Sequence, residues 1–305
     1  MSKITLARLL IKVKGMPPLP QSIAQILELT KSAKSSAHDL TKVCERDPKL
    51  TTDMLKLANS PFYGFSRKIS TISHAIVCLG LDTVKSIALT SSTQEMLNNE
   101  VSAYALEKGM LWQHSIGCAT CARIIAKRVG FNESEEAYIA GLLLDIGKIM
   151  LSNFAEDQFI QIIEKANNNR ISFDRAEQEV LGFDHSKIGG KIIKKWNLPP
   201  ILVEAVQYHH RPEKAKINKK LTYIVHLADA ISCMLGIGLG CDGLMYVFEE
   251  NTLDVLGLRK EDMESIMCEL VDKVFGAEES NNDHLLEQES FQEECQVLTN
   301  SSGII

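Results

Sequence analysis

Segments with the 3.6-residue periodicity of α-helices follow one another along this sequence, and this pattern constrains the fold more than any other feature. Apolar residues such as Ile23, Ile26 and Leu27 return at helical spacing, whereas the strict alternation of a half-buried strand is nearly absent. The pattern predicts an all-α fold. Because an amphipathic helix must bury its apolar stripe against other elements, we expect the helices to assemble into bundles.

Cap residues divide the first part of the chain into short helices. Asp47 followed by Pro48 is typical of a helix start, because the carboxylate can accept a backbone N–H and proline fits the first helical position. Ser70 and Asp82 are candidate caps for the next two helices. We expect residues 1–107 to form a first helical bundle.

Longer helical segments occupy residues 108–276, for which we predict a second bundle. In the first of these segments, His114 and Cys118 share one face with apolar residues. Further helices are expected over residues 133–144, 149–154, 156–167, 173–181, 185–196, 201–209 and 219–235, with two more between 244 and 275. No long linker separates the two groups, so we expect them to pack as one body.

The excess charge of the chain is concentrated in its last segment. Residues 277–305 hold seven acidic residues and no lysine or arginine, which leaves 33 basic and 32 acidic residues in the rest of the chain. This acidic tail is rich in Glu, Asn, Ser and Gln, and we predict that it is disordered. The neutral body lacks the electrostatic footprint of a nucleic-acid-binding protein, so nucleic acid is not an expected partner.

From the sequence we expect neither a membrane span nor a leader peptide. No window approaches about 18 consecutive apolar residues, and the N-terminal segment lacks a small-residue cleavage site. The eight cysteines are too irregularly spaced for a disulfide framework, and Cys118-x-x-Cys121 lies inside a helical pattern without a second pair at zinc-ribbon spacing. These features predict a cytoplasmic protein without a membrane partner, whose cysteines are reduced and mostly buried in the core.

Six histidines and aspartates of the second group are candidate metal ligands. Imidazoles and carboxylates on facing helices can hold one or two ions that orient a water molecule and polarise a phosphorus centre. Taken singly, each such residue is more often a hydrogen-bonded core residue than a ligand. The candidate metal ligands are His114, Asp145, His185, His209, His210 and Asp229.

The order of these residues over most of 108–235 resembles the ligand series of the HD superfamily of metal-dependent phosphohydrolases, particularly its HD-GYP branch. In that branch residues 144–148 would read His-Asp-x-Gly-Lys. The resemblance implies that the histidine ligates metal, that Asp145 bridges two ions and that Lys148 contacts phosphate. This chain has Leu144 in place of the histidine, and it also lacks the Gly-rich segment that follows the paired histidines in HD-GYP proteins.

The first bundle indicates which branch the chain follows. Asp47-Pro-Lys-Leu50, Leu57-Ala-Asn-Ser-Pro-Phe-Tyr-Gly64 and the segment 72–81 are similar to the HDOD domain, an HD-related output domain of bacterial signalling proteins. With Met16-Pro-Pro-Leu-Pro20, the resemblance covers about residues 14–212. It implies an all-α fold and a regulatory role in two-component, chemotaxis or cyclic-nucleotide signalling, with a signalling protein as the partner.

Leu144 decides how the candidate metal ligands are interpreted. An aliphatic side chain replaces one ligand of the first ion, which would weaken metal binding there. A second position could still hold one ion of iron, manganese or zinc, because three or four nitrogen and oxygen donors suffice. The residues available for it are Asp145, His185, His209 and His210. The other interpretation of the group is a polar network that specifies packing without a metal.

Two hypotheses for the function follow. The preferred one is a non-enzymatic signalling module that acts through protein–protein interaction and retains one structural metal ion. The alternative is a metal-dependent phosphohydrolase acting on a cyclic dinucleotide or another phosphoester, with a small phosphorylated ligand. We assign no catalytic residue: Lys148 is a weak candidate for phosphate contact, and we expect it to be a solvated charge that favours a helix C-terminal dipole.

Overall fold

The computed structural model describes residues 6–15, 18–31, 36–60, 68–154, 156–243 and 246–275, and this part of the chain is helical. The helices are α1 Leu6–Gly15, α2 Gln21–Lys31, α3 Ala37–Glu45, α4 Pro48–Ala58, α5 Ile72–Leu79, α6 Leu81–Leu97, α7 Met110–Arg128, α8 Ser134–Leu143, α9 Ile146–Phe154, α10 Glu156–Asn169, α11 Phe173–Leu181, α12 His185–Lys195, α13 Pro200–Tyr208, α14 Lys219–Met234, α15 Thr252–Leu256 and α16 Lys260–Val274. Within the described residues there is no strand, only an isolated bridge between Val101 and Leu106. The predicted all-α class is confirmed.

The predicted caps of the first group are correct at one helix and displaced at two. Asp47 caps α4, since its carboxylate accepts the N–H of Leu50 at 3.0 Å. Helix α5 is capped by Thr71 rather than Ser70, because the Thr71 hydroxyl accepts the N–H of His74 at 3.1 Å. Asp82 does not cap α6 but lies in its first turn, where a carboxylate favours the helix dipole.

Two helices were not predicted from the periodicity. Helix α1 lies in the N-terminal segment, outside every predicted helix. Helix α3 begins with a capping box in which the Ser36 hydroxyl accepts the N–H of Asp39 and the Asp39 carboxylate accepts the N–H of Ser36. Both helices are short, and short apolar patterns are a weak signal.

The second group is built around α7 and α14, which are buried on nearly every side. Helix α8 crosses α7 closely at Gly141, where an added Cβ would lie 2.6 Å from the carbonyl oxygen of Cys118. Helices α9 and α13 pack on α12. These crossings bring the end of α8, the start of α12 and the end of α13 together beside α7 and α14.

The two groups share one continuous apolar core in the described part of the chain. Helix α6 of the first group packs on α7 and α8 of the second. Polar contacts cross the same boundary: the Lys85 ammonium lies 3.0 Å from Glu136, and the Thr90 hydroxyl lies 3.3 Å from the hydroxyl of Tyr138. The division of the chain at residue 107 stays a prediction.

Among the described helices, none combines the length and the apolar character that crossing a membrane would require. The acidic tail at 277–305, for which disorder was predicted, lies outside the described residues, as do residues 61–64 of the loop motif and Met16 and Pro17.

Candidate metal centre

Two features determine the position of Asp145: the junction between α8 and α9, and the close approach of α9 to α12 at one glycine. It follows Leu144, the C-cap of α8, and α9 begins at the next residue. An added Cβ on Gly147 would lie 1.9 Å from the carbonyl oxygen of His185, so only glycine allows α9 to approach α12 this closely. The contact brings the Asp145 Oδ1 atom to 3.3 Å from Nε2 of His185.

Three imidazoles meet beside Asp145, and we call His185, His209 and His210 the histidine cluster. His185 is the first residue of α12, and the other two follow α13 directly. Each of the three offers one ring nitrogen within 4.8 Å of the others. The Nε2 atoms of His185 and His210 are 2.9 Å apart. The cluster therefore presents three nitrogen donors to one point.

Hydrogen bonds on the far side of the rings fix the orientation of the cluster. Nδ1 of His185 lies 2.8 Å from the Glu177 carboxylate, and Nδ1 of His209 lies 2.8 Å from the carbonyl oxygen of Val206. Histidines that ligate metals commonly donate this second N–H to a carboxylate or a carbonyl group, which leaves Nε2 for the ion. Both rings have the orientation that metal ligation requires.

Two buried polar atoms at the centre of the site have no hydrogen-bond partner among the residues that the structure describes. These are Oδ1 of Asp145 and Nε2 of His209, which lie 4.0 Å apart. A buried polar atom left unpaired costs about 1–3 kcal/mol, so such atoms call for an explanation. A cation between them would satisfy both, since a carboxylate oxygen and an imidazole nitrogen are ordinary metal donors. The residues of this centre therefore fit a divalent ion.

His114 and Asp229 complete the group on the opposite side of Asp145. The Nε2 atom of His114 lies 3.1 Å from Oδ1 of Asp229 and 3.4 Å from Oδ2 of Asp145. The Asp229 carboxylate also lies 3.9 Å from Nε2 of His209 and 4.0 Å from Nδ1 of His210. The fold brings together all six residues that were candidate ligands. Their role as ligands stays a prediction.

Lys148 differs from its predicted state. It lies in the first turn of α9, where the helix dipole disfavours a cation, and its side chain is only 8% exposed rather than solvated. Its ammonium donates to Oδ2 of Asp145 at 2.6 Å and also contacts the carboxylate of Asp242. Burial opposes the charge of Lys148, but the two carboxylates outweigh this effect and raise the pKa of the ammonium well above its ordinary value.

The charges of the cluster are unevenly distributed. Burial opposes protonation of His185, but the Glu177 carboxylate outweighs it and raises the pKa of this imidazole to about 9. Burial lowers the pKa of His209 and, more strongly, that of His210. Burial also disfavours the charged form of Asp229, but its hydrogen bond with His114 lowers the pKa of the carboxyl group below its ordinary range. Hence His185 is the protonated member of the cluster and donates to a neutral His210, and it would have to release its Nε2 proton to ligate an ion.

Several residues of the centre were missed by sequence reasoning. Glu177 orients His185 and accepts a hydrogen bond from the hydroxyl of Tyr104, and Asp242 pairs with Lys148. Cys118 and Cys233 contact Asp229, although they were expected to be plain core residues. The position of Cys118, one turn after His114 on the same helix, indicates that the two side chains lie close together. No local pattern pointed to Glu177, Tyr104 or Asp242. Those three approach the site only through long-range packing.

A small cleft leads to this centre. Its empty volume is about 490 Å³ including its opening to solvent, and its walls include His210, Lys148 and Tyr246. A ligand that enters the cleft would therefore meet the histidine cluster and the Lys148–Asp242 pair. Residues of the loop that follows α14 also form part of the cleft wall.

The fold and the buried cluster define the class: an all-α protein in which imidazoles and carboxylates from separate helices meet at one point, as in HD-type domains. The sequence model of the HDOD domain matches residues 16–212, which is more than half of the chain. The chain belongs to the HDOD domain family, and the resemblance noted from its motifs is confirmed.

Known proteins share the fold over most of this chain. An HDOD domain protein of unknown function from Geobacter sulfurreducens is 24% identical with a TM-score of 0.66, and the match covers 98% of both chains. A Marinobacter aquaeolei protein, named provisionally as a signal transduction protein, is 22% identical with a TM-score of 0.70, and the match covers 98% of this chain and 62% of the other. At these identities the likeness concerns the fold alone.

A curated relative matches a shorter stretch. Ribonuclease Y from Geobacter sulfurreducens is 28% identical over 158 residues, which is 52% of this chain and 23% of that enzyme. This chain spans between 23% and 40% of the length of the first two curated relatives that it matches.

Proposed function

We propose that this chain is a non-enzymatic regulatory module of cytoplasmic signalling, which acts by binding a signalling protein. In this proposal it retains one divalent ion, of iron, manganese or zinc, held by the histidine cluster and Oδ1 of Asp145. Family membership supports the regulatory context, and the two unpaired buried atoms support the ion. When bound, the ion would supply a buried positive charge that cross-links the starts of α9 and α12 to the end of α13.

The observation that carries the non-enzymatic part is the engagement of Lys148. Hydrolytic relatives use the corresponding lysine to contact phosphate, whereas here its ammonium is buried between two carboxylates. The same pairing occupies Oδ2 of Asp145, which leaves that residue one oxygen for an ion instead of the two that a bridging ligand uses. Leu144, fully buried at the position of a metal-binding imidazole, removes a further ligand.

Activity measurements test this proposal directly. The full-length chain, loaded in turn with manganese, iron and zinc, would be incubated with cyclic di-GMP, a short single-stranded RNA and an aryl phosphodiester. We expect product formation no faster than with the Asp145→Ala variant. Turnover by the wild-type protein that Asp145→Ala abolishes would overturn the proposal. Circular dichroism of both proteins would show that each is folded.

The alternative is metal-dependent phosphoester hydrolysis, and two observations favour it. All six candidate ligands meet at one centre beside an open cleft, and a relative of part of this chain is a ribonuclease. In that case a small phosphorylated ligand would enter the cleft and Lys148 would have to leave Asp242 to reach it. The Asp242→Asn variant separates the two proposals, because freeing Lys148 should raise a real hydrolytic rate but leave a non-enzymatic protein inactive.

A further inference from the structure

Two cysteines stand beside His114 and Asp229, apart from the histidine cluster. Cys118 follows His114 by one turn of α7, and Cys233 follows Asp229 by one turn of α14. Residues four positions apart lie on the same face of a helix, so two pairs of donors face each other where α7 packs on α14. We call these four residues the thiol group.

Three members of the thiol group, His114, Cys118 and Asp229, have ligand atoms that all lie within 4.8 Å of one another, as ligands around one zinc ion do. With zinc–sulfur and zinc–nitrogen bonds of about 2.3 and 2.0 Å, neighbouring ligand atoms of a tetrahedral site are about 3.3–3.8 Å apart. Sγ of Cys118 lies 3.4 Å from Nε2 of His114 and 4.0 Å from Oδ1 of Asp229. Oδ1 of Asp229 lies 3.1 Å from Nε2 of His114 and 3.8 Å from Sγ of Cys233. The Cys233 Sγ atom lies outside this group of three, and rotation of its side chain toward them would complete a four-ligand site.

The orientation of His114 is an independent sign of a metal ligand. Its Nδ1 atom lies 2.9 Å from the carbonyl oxygen of Ile237, and its Nε2 atom faces the other members of the thiol group. A hydrogen bond from the far nitrogen to a carbonyl group is the usual support for an imidazole that binds metal through Nε2. The carbonyl group of Ile237 can approach His114 because the next residue is Gly238. An added Cβ on Gly238 would lie 2.2 Å from the carbonyl oxygen of Met110 on α7.

We propose that His114, Cys118, Asp229 and Cys233 form a second metal site, distinct from the histidine cluster, which binds a thiophilic divalent ion such as zinc. Two thiolates, one imidazole and one carboxylate favour zinc or cadmium over manganese or magnesium. Four protein ligands close the coordination sphere, and closed sites are structural because they leave no position for water. The site fastens α7 to α14 and does not depend on whether the histidine cluster binds an ion.

Cobalt(II) is the probe for this site, because thiolate ligands give it an intense near-ultraviolet charge-transfer band. The reduced, metal-free, full-length chain would be titrated with cobalt(II), and then with zinc in competition. We expect one equivalent of thiolate-bound cobalt in the wild-type protein. We expect Cys118→Ser and Cys233→Ser each to weaken this binding by more than about 10-fold and to remove most of the band. Absence of a thiolate band in the wild-type protein would overturn the proposal.

Matched variants separate this site from other sulfur chemistry and from the histidine cluster. Cys121 is fully buried one turn further along α7, so Cys121→Ser should keep the band. The His185→Ala/His209→Ala variant should also keep it, even if the ion of the histidine cluster is lost or never existed. A band that survives in both Cys118→Ser and Cys233→Ser would overturn the proposal. If these variants fail to fold, X-ray absorption of the zinc-loaded wild-type protein decides: sulfur ligands support the site, and their absence refutes it.

Discussion

The N-terminal helices α2–α6 and the later helices α7–α14 bury different chemistry. In the described part of the first group, the buried polar side chains are hydroxyl groups of threonine and serine, such as Thr41 and Thr90. In the second group, charged and histidine side chains lie in the interior, among them Asp145, Lys148 and His185. Buried charge does not stabilise a fold by itself, because its desolvation offsets the attraction between partners. The contrast teaches that packing alone does not explain the charged interior of the second group, whereas the interior of the first group needs no other explanation.

Of the variants that test this contrast, the one that removes the buried cation Lys148 should change the free energy of unfolding most. Lys148→Met leaves the carboxylates of Asp145 and Asp242 without their shared cation, and we expect the free energy of unfolding to fall by about 3–5 kcal/mol. The control is Lys49→Met in the first group, which removes an ion pair with Glu95 whose side chains are 76% and 84% exposed. We expect no measurable change there. Denaturant unfolding compares them, and equal costs would contradict the contrast.

Acid should destabilise the second group through His226. Burial lowers the pKa of this imidazole from 6.5 to about 4, while its Nδ1–H donates to the carbonyl oxygen of His209 at 2.7 Å. The unfolded chain therefore binds this proton more readily, so the contribution to stability is complete above pH 6.5 and is lost as the pH falls toward 4. It amounts to about 3 kcal/mol at about 1.4 kcal/mol per pKa unit.

The variant His226→Asn isolates this contribution, because its amide can still donate to the carbonyl of His209 but does not titrate. Its unfolding free energy should vary less between pH 6.5 and 4 than that of the wild-type protein. The matched control is His74→Asn, at an exposed position on α5 of the first group. An unchanged pH dependence in His226→Asn would show that other groups cause the acid sensitivity.

Two helix caps offer a smaller test of the same contrast. Asp47 caps α4 in the first group and also accepts the hydroxyl of Ser22 at 2.9 Å. Asp184 caps α12, is fully buried and also pairs with Arg211. We expect Asp47→Ala to cost about 1 kcal/mol, and Asp184→Ala to cost about 2 kcal/mol because it also removes a charged partner. Thermal or denaturant unfolding would measure both, and a larger cost at Asp47 would contradict the comparison.

Local rules predicted the elements of the fold well where the signal itself was local. Asp47 and Pro48 start α4 as expected, since cap and proline preferences depend on only a few neighbouring residues. Helix α11 has the predicted bounds, 173–181. The capping box at Ser36 is also a local signal, but the apolar pattern of α3 is too short to predict a helix. The displaced cap at Thr71 reflects two adjacent hydroxyl residues that sequence preference cannot distinguish.

The sequence was sufficient to predict the candidate ligands of the site, but not the ion pairs that their neighbours form. The six candidate ligands were recognisable because their order follows a known series, and the fold brings them together. The state of Lys148 was wrong because it depends on Asp242, which lies 94 positions later in the chain and carries no motif. Cys118 and Cys233 were assigned to the core for a similar reason: only the packing of α7 on α14 places both beside Asp229.

The metal content of the full-length chain, purified without chelators and measured by plasma mass spectrometry, tests the central claim most directly. The unpaired Asp145 and His209 atoms predict a bound divalent ion in the wild-type protein and a loss of one equivalent in the His185→Ala/His209→Ala variant. If the wild-type protein takes up no manganese, iron or zinc, or if the variant retains the full amount, the histidine cluster is a polar network without an ion and the account fails.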